Sequence, residues 1–432
     1  MSDIRRAALY GRIHPAFLAA FGIAIVIAAA ASLPWLGLSS RWLTVATQVA
    51  VNAIFAASFH LMFGLTGMLW FAQAVFFGFA GYAVTYTLRG MAADDIPYFP
   101  VSLLPLVGSL VAALVGAAVG WVATRREKLA FAMISLAVTE LVVGLGYVFR
   151  SVSGGEEGLS ADRWVGPEPL GITFGPQKEI YLLSLAWLVV AVAVVAFIER
   201  TTLGRLAMAA RENSERLAFS GYDIRLVRWI VFTISSAVAG IAGSLFALNY
   251  EHVGLSLLSI EQSSLALFSV VLGGLGSLIG ALAGAVAITL LNTVLADLTP
   301  VWLFYLGLTF TLLILFARSG LAGAIRAHQP LLQGRALAVP SLMLPYFRAL
   351  SWIVICCGAG IAASETIFRH ADGKSVLSST GFLPAWMQGA TLAFIALIGL
   401  CFAIPACRRA KAAYLDALRG VGLGVTRSNH HG

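Results

Sequence analysis

Long runs of apolar residues, separated by short polar segments, dominate the pattern along this chain. A helix needs about 20 apolar residues to cross a membrane, and runs of that length recur throughout the sequence. We predict twelve such segments, at residues 16–38, 43–63, 68–88, 101–123, 129–149, 180–198, 229–249, 262–278, 279–298, 301–317, 349–367 and 385–405. The pattern therefore predicts an all-α polytopic membrane protein with about 12 transmembrane helices.

Glycine-rich breaks interrupt this pattern at two places, GLTG at 64–67 and GGLGSLIG at 273–280. The second break separates two predicted helices, so either of them could be broken or re-entrant. Broken helices free backbone N–H and C=O groups, which can form a polar path for a substrate. Three glycines at four-residue spacing, Gly276, Gly280 and Gly284, predict close helix packing instead.

Composition and charge agree with lipid as the main solvent. The chain is 59% hydrophobic and 11% charged, whereas soluble domains are about half apolar and about a quarter charged. Its net charge is +8, but the basic residues lie between apolar segments and are not interleaved with stacking aromatics, so no nucleic-acid partner is predicted. When the predicted helices alternate across the membrane, Lys and Arg concentrate on the side of both termini, which places the termini in the cytoplasm.

The most polar segment of the chain covers residues 199–228, where ten of thirty residues are charged. Helix-forming residues without Pro predict a single amphipathic helix over 203–219, and Gly221 suits the left-handed conformation that ends a helix. Two oppositely charged pairs are spaced to meet on its surface, Arg211 with Glu215 and Glu212 with Arg216. A solvated cytoplasmic connector is the alternative interpretation.

This charged segment resembles the cytoplasmic coupling loop of ABC importer permeases, and it is most similar to that of the branched-chain amino-acid permease family, M-type subunit. The residues that match the family motif are Gly204, Arg205, Ala209, Arg211, Glu212, Asn213, Ala218 and Gly221. The resemblance implies that the loop docks on a separate ATPase. The charges would steer docking, and the alanines would fill a groove on the partner.

Further motifs resemble the same family in the same order and extend the resemblance over about residues 40–323. They are GLTGMLWFAQAVFFGFAGY at 64–82, the span with Glu140 and the glycine loop after it, VVLGGLGSLIGALAGA at 270–285 and RSGL at 318–321. Three positions depart from the family pattern, and one of them is His60, where the family often has Asn. Gln73 stands where the family often has His, which bears on substrate preference if this residue lines the pathway, and Trp70 replaces a small residue.

Polar or helix-breaking residues within the predicted helices are the candidates for a substrate pathway. They are Gly64, Thr66, Gly67, Gln73, Glu140, Gly273 and Gly274. Glu140 is the sharpest candidate, because a charge within a membrane span costs about 2.5–3.5 kcal/mol unless it is partnered. A hydrogen bond to a neighbouring helix is the alternative role for Glu140 and for Gln73.

No motif in the sequence predicts catalysis, a metal site or a cofactor. The stretch Gly373-Lys374-Ser375 is not a nucleotide-binding loop, since Phe368 occupies the position where that motif needs Gly. The chain is therefore not expected to be an enzyme. ATP hydrolysis for transport is expected on partner subunits.

The predicted organisation has three parts: an N-terminal anchor span at 1–39, a permease core at 40–323 with its coupling loop at 199–228, and an extension at 324–432 with two spans and a basic tail. The resemblance implies a permease subunit of an ABC importer for amino acids, branched-chain ones first, in the inner membrane. Its implied partners are membrane lipid, a paralogous permease subunit, two ATP-binding subunits and an extracytoplasmic solute-binding protein. The alternatives are a stand-alone secondary transporter or channel for small polar solutes, or an ABC permease for urea or amides.

Overall fold

The computed structural model describes residues 30–36, 39–125, 128–165 and 174–298, together with the single residues 307, 320 and 323. The chain divides into two compact units, residues 1–291 and residues 292–432. Both termini, most of the predicted anchor span and all of the predicted extension lie outside the described residues. The predicted spans at 349–367 and 385–405 lie outside them as well, and so does the span at 301–317 apart from residue 307.

Helices form nearly all of the regular structure in the described ranges. The principal helices are α1 (Ser40–Phe59), α2 (Gln73–Ala92), α3 (Leu104–Ala123), α4 (Lys128–Val148), α5 (Gln177–Arg200), α6 (Thr202–Glu212), α7 (Ser214–Phe219), α8 (Ile224–Tyr250), α9 (Ile260–Gly273) and α10 (Leu278–Leu298). A π-helical segment at His60–Leu65 continues α1 directly. Short pieces complete the chain: 3-10 turns at Leu33–Leu36, Val101–Leu103 and Leu255–Leu258, a helical turn at Arg150–Ser153, and strands β1 (Leu159–Ser160) and β2 (His252–Val253).

Five helical segments in the described ranges are long and apolar enough to cross a membrane. They are Ser40–Leu65, Val101–Ala123, Leu129–Val148, Gln177–Arg200 and Ile224–Tyr250. The prediction of a polytopic all-helical membrane protein is therefore confirmed in its general form. Helix α2, predicted as a span at 68–88, is not among the five and begins only at Gln73. Most of its residues are buried among other helices, so its environment is protein more than lipid.

Helix α8 lies at the centre of the first unit, with α3 antiparallel to it and α2 parallel to it. Small residues recur at every fourth position along the contact between α3 and α8. They are Gly108, Ala112, Gly116 and Gly120 on α3, and Ser236, Gly240 and Ser244 on α8. A Cβ atom at Gly240 would lie 2.6 Å from Ala112 Cβ, so the backbones are in near contact. This arrangement is typical of helix packing in membranes.

An aromatic cluster fills the space between α2, α4 and α8. Trp70 is fully buried in it, and its ring centroid lies 4.9 Å from those of Phe131 and Phe232. Phe76 of α2 stacks on the same indole ring at 6.3 Å. The departure from the family pattern at Trp70 is thus accommodated by dense aromatic packing.

The fold has two chemically different ends. The basic end carries α6, α7 and a stacked group in which the guanidinium of Arg225 lies 4.4 Å from the ring centroid of Trp121. The other end, called the hairpin end, carries the short strands β1 and β2. These strands lie far apart in the chain and pair antiparallel, with Leu159 opposite Val253. Tryptophan and arginine together at one end are typical of a membrane–water boundary.

Arg163, in the segment after β1, bonds this segment to the C-terminal end of α8. Its guanidinium donates to the carbonyl oxygens of Phe174 at 2.7 Å, Gly175 at 2.7 Å and Leu248 at 3.0 Å. Its Nε also lies 3.3 Å from Glu251 Oε1. A buried cation beside the last carbonyls of a helix is favourable, because the helix dipole is negative there.

Helices α9 and α10 form a tight antiparallel pair. The backbone of Gly284 packs against Ser269 of α9, and that of Gly273 packs against Gly280, with no space for a side chain at either contact. The packing prediction for Gly276 is wrong, because this residue lies in the exposed turn before α10 and has no atom within 4 Å of its Cβ position.

Candidate functional site

The charged segment after α5 folds as two short helices, so the prediction of one helix over 203–219 is wrong. Helix α6 ends at Glu212, and α7 begins at Ser214. Between them Asn213 is extended, with φ −154°, and its Oδ1 accepts a hydrogen bond from the N–H of Arg216 at 2.9 Å. An Asn side chain that caps a new helix competes with continuation of the old one.

This break also separates the two charged pairs predicted to meet. Within the described residues neither Arg211 and Glu215 nor Glu212 and Arg216 form an ion pair. At the other end of the segment Gly221 adopts φ +86°, as predicted for a left-handed helix stop. Asp223 then caps α8, its Oδ1 accepting hydrogen bonds from two backbone N–H groups.

The turn from α5 into α6 is compact because Gly204 has no side chain. A Cβ atom there would overlap the carbonyl oxygen of Ile198. The hydroxyl of Thr201 accepts a hydrogen bond from the N–H of Gly204 at 3.4 Å and so caps α6. The first turn of α6 therefore packs directly against the last turn of α5.

The two short helices expose more apolar surface than their sequence suggests. Phe219 is 92% exposed, and Met208 and Tyr222 are exposed as well. Among the matched alanines, Ala209 is half-buried and Ala218 is exposed, while Arg205 and Glu212 are exposed charges nearby. Phe219 was not predicted as a site residue, although a large aromatic residue in an otherwise polar segment is a signal for a contact surface.

Arg211 differs from the other matched residues because its side chain bonds to a distant part of its own chain, whereas that of Asn213 bonds locally to Arg216. The Nη1 of Arg211 donates to the carbonyl oxygen of Gly64. Its side chain also lies over Gly67, which adopts φ +70° and has no space for a side chain, since a Cβ atom there would be 2.8 Å from Arg211 Cγ. The structure thus joins a predicted coupling residue to the segment predicted as part of the pathway.

The π-helical segment at His60–Leu65 makes a second contact with the same region. His60 Nε2 lies 2.6 Å from Glu199 Oε1 in the last turn of α5. Because a carboxylate only accepts hydrogen bonds, Nε2 carries the proton. Gly64 makes room for the imidazole ring, which a Cβ atom at Gly64 would overlap. The pairing could not be predicted from the sequence, because its two members are 139 positions apart.

Gln73 lies in a buried polar cluster that joins three helices. Its Nε2 is 3.2 Å from Ser58 Oγ of α1 and 3.0 Å from Ser235 Oγ of α8, and the Ser235 hydroxyl donates to the carbonyl oxygen of Ser58 at 2.8 Å. Thr66 is also buried, and its hydroxyl donates to the carbonyl oxygen of Met62. Both side chains therefore hold partners within the protein.

Glu140 lies on the opposite kind of surface, because its side chain is exposed on α4. It forms no hydrogen bond or ion pair with any residue that the structure describes. One turn further on, Gly144 is also exposed and has no atom within 4 Å of its Cβ position. No residue that the structure describes therefore bonds to this exposed face of α4, which is called its open face.

Gly273 and Gly274 lie at the end of α9, where the chain turns towards α10. Gly274 adopts φ +108°, which only glycine tolerates readily. The predicted pathway residues thus occupy four separate places: the π-helical segment, the Gln73 cluster, the open face of α4 and the turn after α9. The structure does not bring them together into one site.

A cleft of about 740 Å³ lies at the hairpin end. Its lining includes Arg89, Asp94, Asp162 and the exposed Trp164. Arg89 Nε donates to the carbonyl oxygen of Ser160 at 2.8 Å, which holds one wall of the cleft to the other. In the described part of the chain no group of three or more His, Cys, Asp or Glu side chains is placed to hold a metal ion.

Comparison with known proteins identifies the relatives of this chain. A family model described as "Branched-chain amino acid transport system / permease component" matches residues 41–317. The high-affinity branched-chain amino acid transport system permease protein LivM of Escherichia coli K12 is 26% identical over 345 residues, covering 73% of this chain and 77% of the relative. LivM of Salmonella typhimurium LT2 is also 26% identical, covering 68% of this chain and 72% of the relative.

A second group of relatives carries a different substrate in its name. The autoinducer 2 import system permease protein LsrC of Shigella flexneri is 29% identical over 240 residues, covering 52% of this chain and 64% of the relative. No solved structure matches the chain. The family match over residues 41–317, together with the helical fold, shows that this chain belongs to the inner-membrane family of branched-chain amino acid transport permease components.

Proposed function

We propose that this chain is the permease subunit of an ABC importer and that α6 and α7 form its docking surface for an ATP-binding subunit. The observation that carries the proposal is the exposed side of these two short helices. Phe219 offers an apolar anchor that no part of the described chain covers, and α6 carries the exposed charges of Arg205 and Glu212. In protein–protein contacts a large aromatic residue is commonly buried by the partner and surrounded by a polar, charged rim.

The concentration of basic residues near α6 and α7 supports a cytoplasmic position for the basic end. The hairpin end then faces the outside, where an extracytoplasmic binding protein is expected. The cleft that contains Arg89, Asp94 and Trp164 offers that partner charges of both signs and an exposed aromatic ring. A second permease subunit completes the assembly that we propose.

The open face of α4 is our choice for the membrane pathway, at the contact with the second permease subunit. A carboxylate in an apolar helix is costly in lipid, so Glu140 is expected to face either water or protein. In a wet pathway it would attract the ammonium group of an amino acid. We propose branched-chain amino acids as the substrate, on the strength of the family and of the LivM relatives.

Two other functions compete with this proposal. An ABC permease for urea or amides would use the same docking surface and differ only in its pathway. A stand-alone secondary transporter or channel would give Phe219 no partner and would require ion-coupling groups inside the spans. Within the described spans Glu140 is exposed and the other polar residues considered, such as Gln73, bond to their own neighbours.

Co-purification tests the proposal directly. The tagged permease, expressed with the ATP-binding subunits encoded in the same genome, should carry those subunits through size-exclusion chromatography in detergent. The variant Phe219→Glu should lose them, because a charge replaces the apolar anchor. The control Trp164→Glu removes an exposed aromatic ring at the hairpin end and should retain them. A wild-type permease that purifies alone and still supports uptake in liposomes would refute the proposal.

A further inference from the structure

We propose that Arg211 is a positioning residue that passes movement of the coupling helices into α1, instead of a contact to the ATPase. The inference rests on the proposed function and deepens it. It assigns two separate tasks to neighbouring residues of one segment. Phe219 and its exposed neighbours would hold the partner, while Arg211 would transmit the partner's motion.

The direction of the Arg211 side chain carries the first step. Its guanidinium donates to the carbonyl oxygen of Gly64, and its aliphatic part lies over Gly67. Neither glycine tolerates a side chain, because a Cβ atom at Gly64 would overlap His60 and one at Gly67 would be 2.8 Å from Arg211 Cγ. The carbonyl oxygen of Gly64 and the bare backbone of Gly67 thus form a seat for Arg211, and a guanidinium that is bonded there has fewer donors for another protein.

The element that would receive the movement of the coupling helices is the π-helical segment at His60–Leu65. A π-helical turn is rare and is wider than an α-helical turn, and it is frequently found at functional sites. The Gly64 carbonyl therefore accepts from Arg211, while the Met62 carbonyl accepts from the hydroxyl of Thr66. Side chains thus bond to backbone carbonyl oxygens at the point where α1 changes its winding.

A second contact connects the π-helical segment to α5. His60, the first residue of the π-helical segment, is bonded to Glu199 of α5 at 2.6 Å. Helix α5 continues through Thr201 into α6, which ends next to Arg211. The π-helical segment is thus held to the α5–α6 corner from two sides, at His60 and at Gly64. A displacement of α6 has to move or rewind the turn.

The buried contacts between α1, α2 and α8 begin within one turn of His60. Ser58 precedes His60 by two residues, and its Oγ and carbonyl oxygen contact Gln73 of α2 and Ser235 of α8 respectively. Both contacts are fully buried. Movement of the end of α1 therefore acts on α2 and α8, the two helices at the centre of the first unit.

Reconstitution of the full importer with its ATP-binding subunits and binding protein in liposomes separates the two tasks. The measurements are the subunit ratio after purification and the amount of substrate taken up per ATP hydrolysed. Arg211→Gln should keep the wild-type subunit ratio but lower the uptake per ATP at least about tenfold, the factor expected when a charge-assisted hydrogen bond is lost. Arg211→Lys, which keeps the charge, should recover part of that loss.

Two further variants control the experiment. Lys178→Gln removes an exposed charge at the start of α5, away from the docking surface, whose side chain forms no hydrogen bond or ion pair within the described residues. It should leave the uptake per ATP unchanged. Gly67→Ala keeps Arg211 but displaces it from its seat, and it should show the same loss as Arg211→Gln. If Arg211→Gln loses the ATP-binding subunits, or keeps full uptake per ATP, the inference is wrong. A wild-type permease without ATP-binding subunits would instead overturn the proposed function itself.

Discussion

The amide nitrogen of Gln73 lies within hydrogen-bond distance of three oxygen atoms, two of them on Ser235 and one on Ser58. Substitution Gln73→Met keeps the size of the side chain but removes these bonds. Because bonds between helices in a membrane contribute roughly 0.6–1.7 kcal/mol, the free energy of unfolding should fall by about that amount. Titration of the purified protein with sodium dodecyl sulfate measures the change.

Gln262 provides the matched control for this substitution. Its Nε2 is buried and has no hydrogen-bond partner among the described residues. Gln262→Met should therefore leave the unfolding free energy unchanged or raise it, since an unsatisfied buried amide is costly. If Gln73→Met changed substrate uptake without changing stability, Gln73 would be assigned to the pathway and not to the helix contact.

The sequence predicts individual polar residues well but not their partners. Gln73 is conspicuous in an apolar segment, and its alternative roles in pathway and packing were both apparent. The choice depends on Ser235, which is 162 positions away and has nothing unusual in its local pattern. Local signals succeed where all the relevant atoms are close in sequence, as at Gly221, whose left-handed conformation was predicted.

At the scale of elements, the contact between α3 and α8 sets the spacing of the central helices. Substitution Gly240→Leu forces a side chain into a space already bounded by Ala112 Cβ at 2.6 Å and the Gly108 carbonyl oxygen at 2.7 Å. Overpacking of this kind costs about 1–3 kcal/mol or more. Thermal unfolding in detergent should show a clear loss of stability.

Gly144→Leu is the control, because Gly144 is also a helical glycine and has no atom within 4 Å of its Cβ position. It should leave the stability unchanged or raise it slightly, since Leu is the better helix former. Equal losses in both variants would mean that helix propensity, and not the α3–α8 contact, determines the effect at Gly240.

Predictions from periodicity are correct for some elements and wrong for others. The four-residue spacing at 276–284 predicted packing correctly for Gly280 and Gly284, but Gly276 precedes the start of α10 at Leu278 and lies in the turn. The single helix predicted over 203–219 ignored Asn213. Helix propensities change little at one Asn, whereas its capping bond decides the local structure.

For the whole molecule, the open face of α4 determines what the chain needs from its surroundings. Glu140→Gln should lower uptake by the assembled importer about tenfold or more, because a hydrogen bond to a charged group is worth about 1.5–3 kcal/mol. The thermal stability of the isolated permease should not change, since Glu140 has no bonded partner in the described chain. Glu157→Gln, which removes an exposed carboxylate at the hairpin end, should affect neither. Unchanged uptake in Glu140→Gln would remove Glu140 from the pathway.

The membrane class of the molecule follows from its sequence because composition and apolar run length depend on local residues alone. Five of the predicted spans coincide with long apolar helices in the described ranges. The location of a site could not be predicted in the same way. Residues that share a chemical character, such as Gln73 and Glu140, lie on buried and exposed surfaces respectively, and only packing distinguishes them.

The bond between Arg163 and the end of α8 also concerns the time at which the protein is made. The Leu248 carbonyl that Arg163 needs lies 85 positions later in the chain. At a synthesis rate of about 5–20 residues per second, roughly 4–17 seconds pass between the synthesis of Arg163 and that of Leu248. During that interval the segment around Leu159 also has no strand to pair with. The hairpin end is therefore completed late in membrane insertion, when α8 emerges.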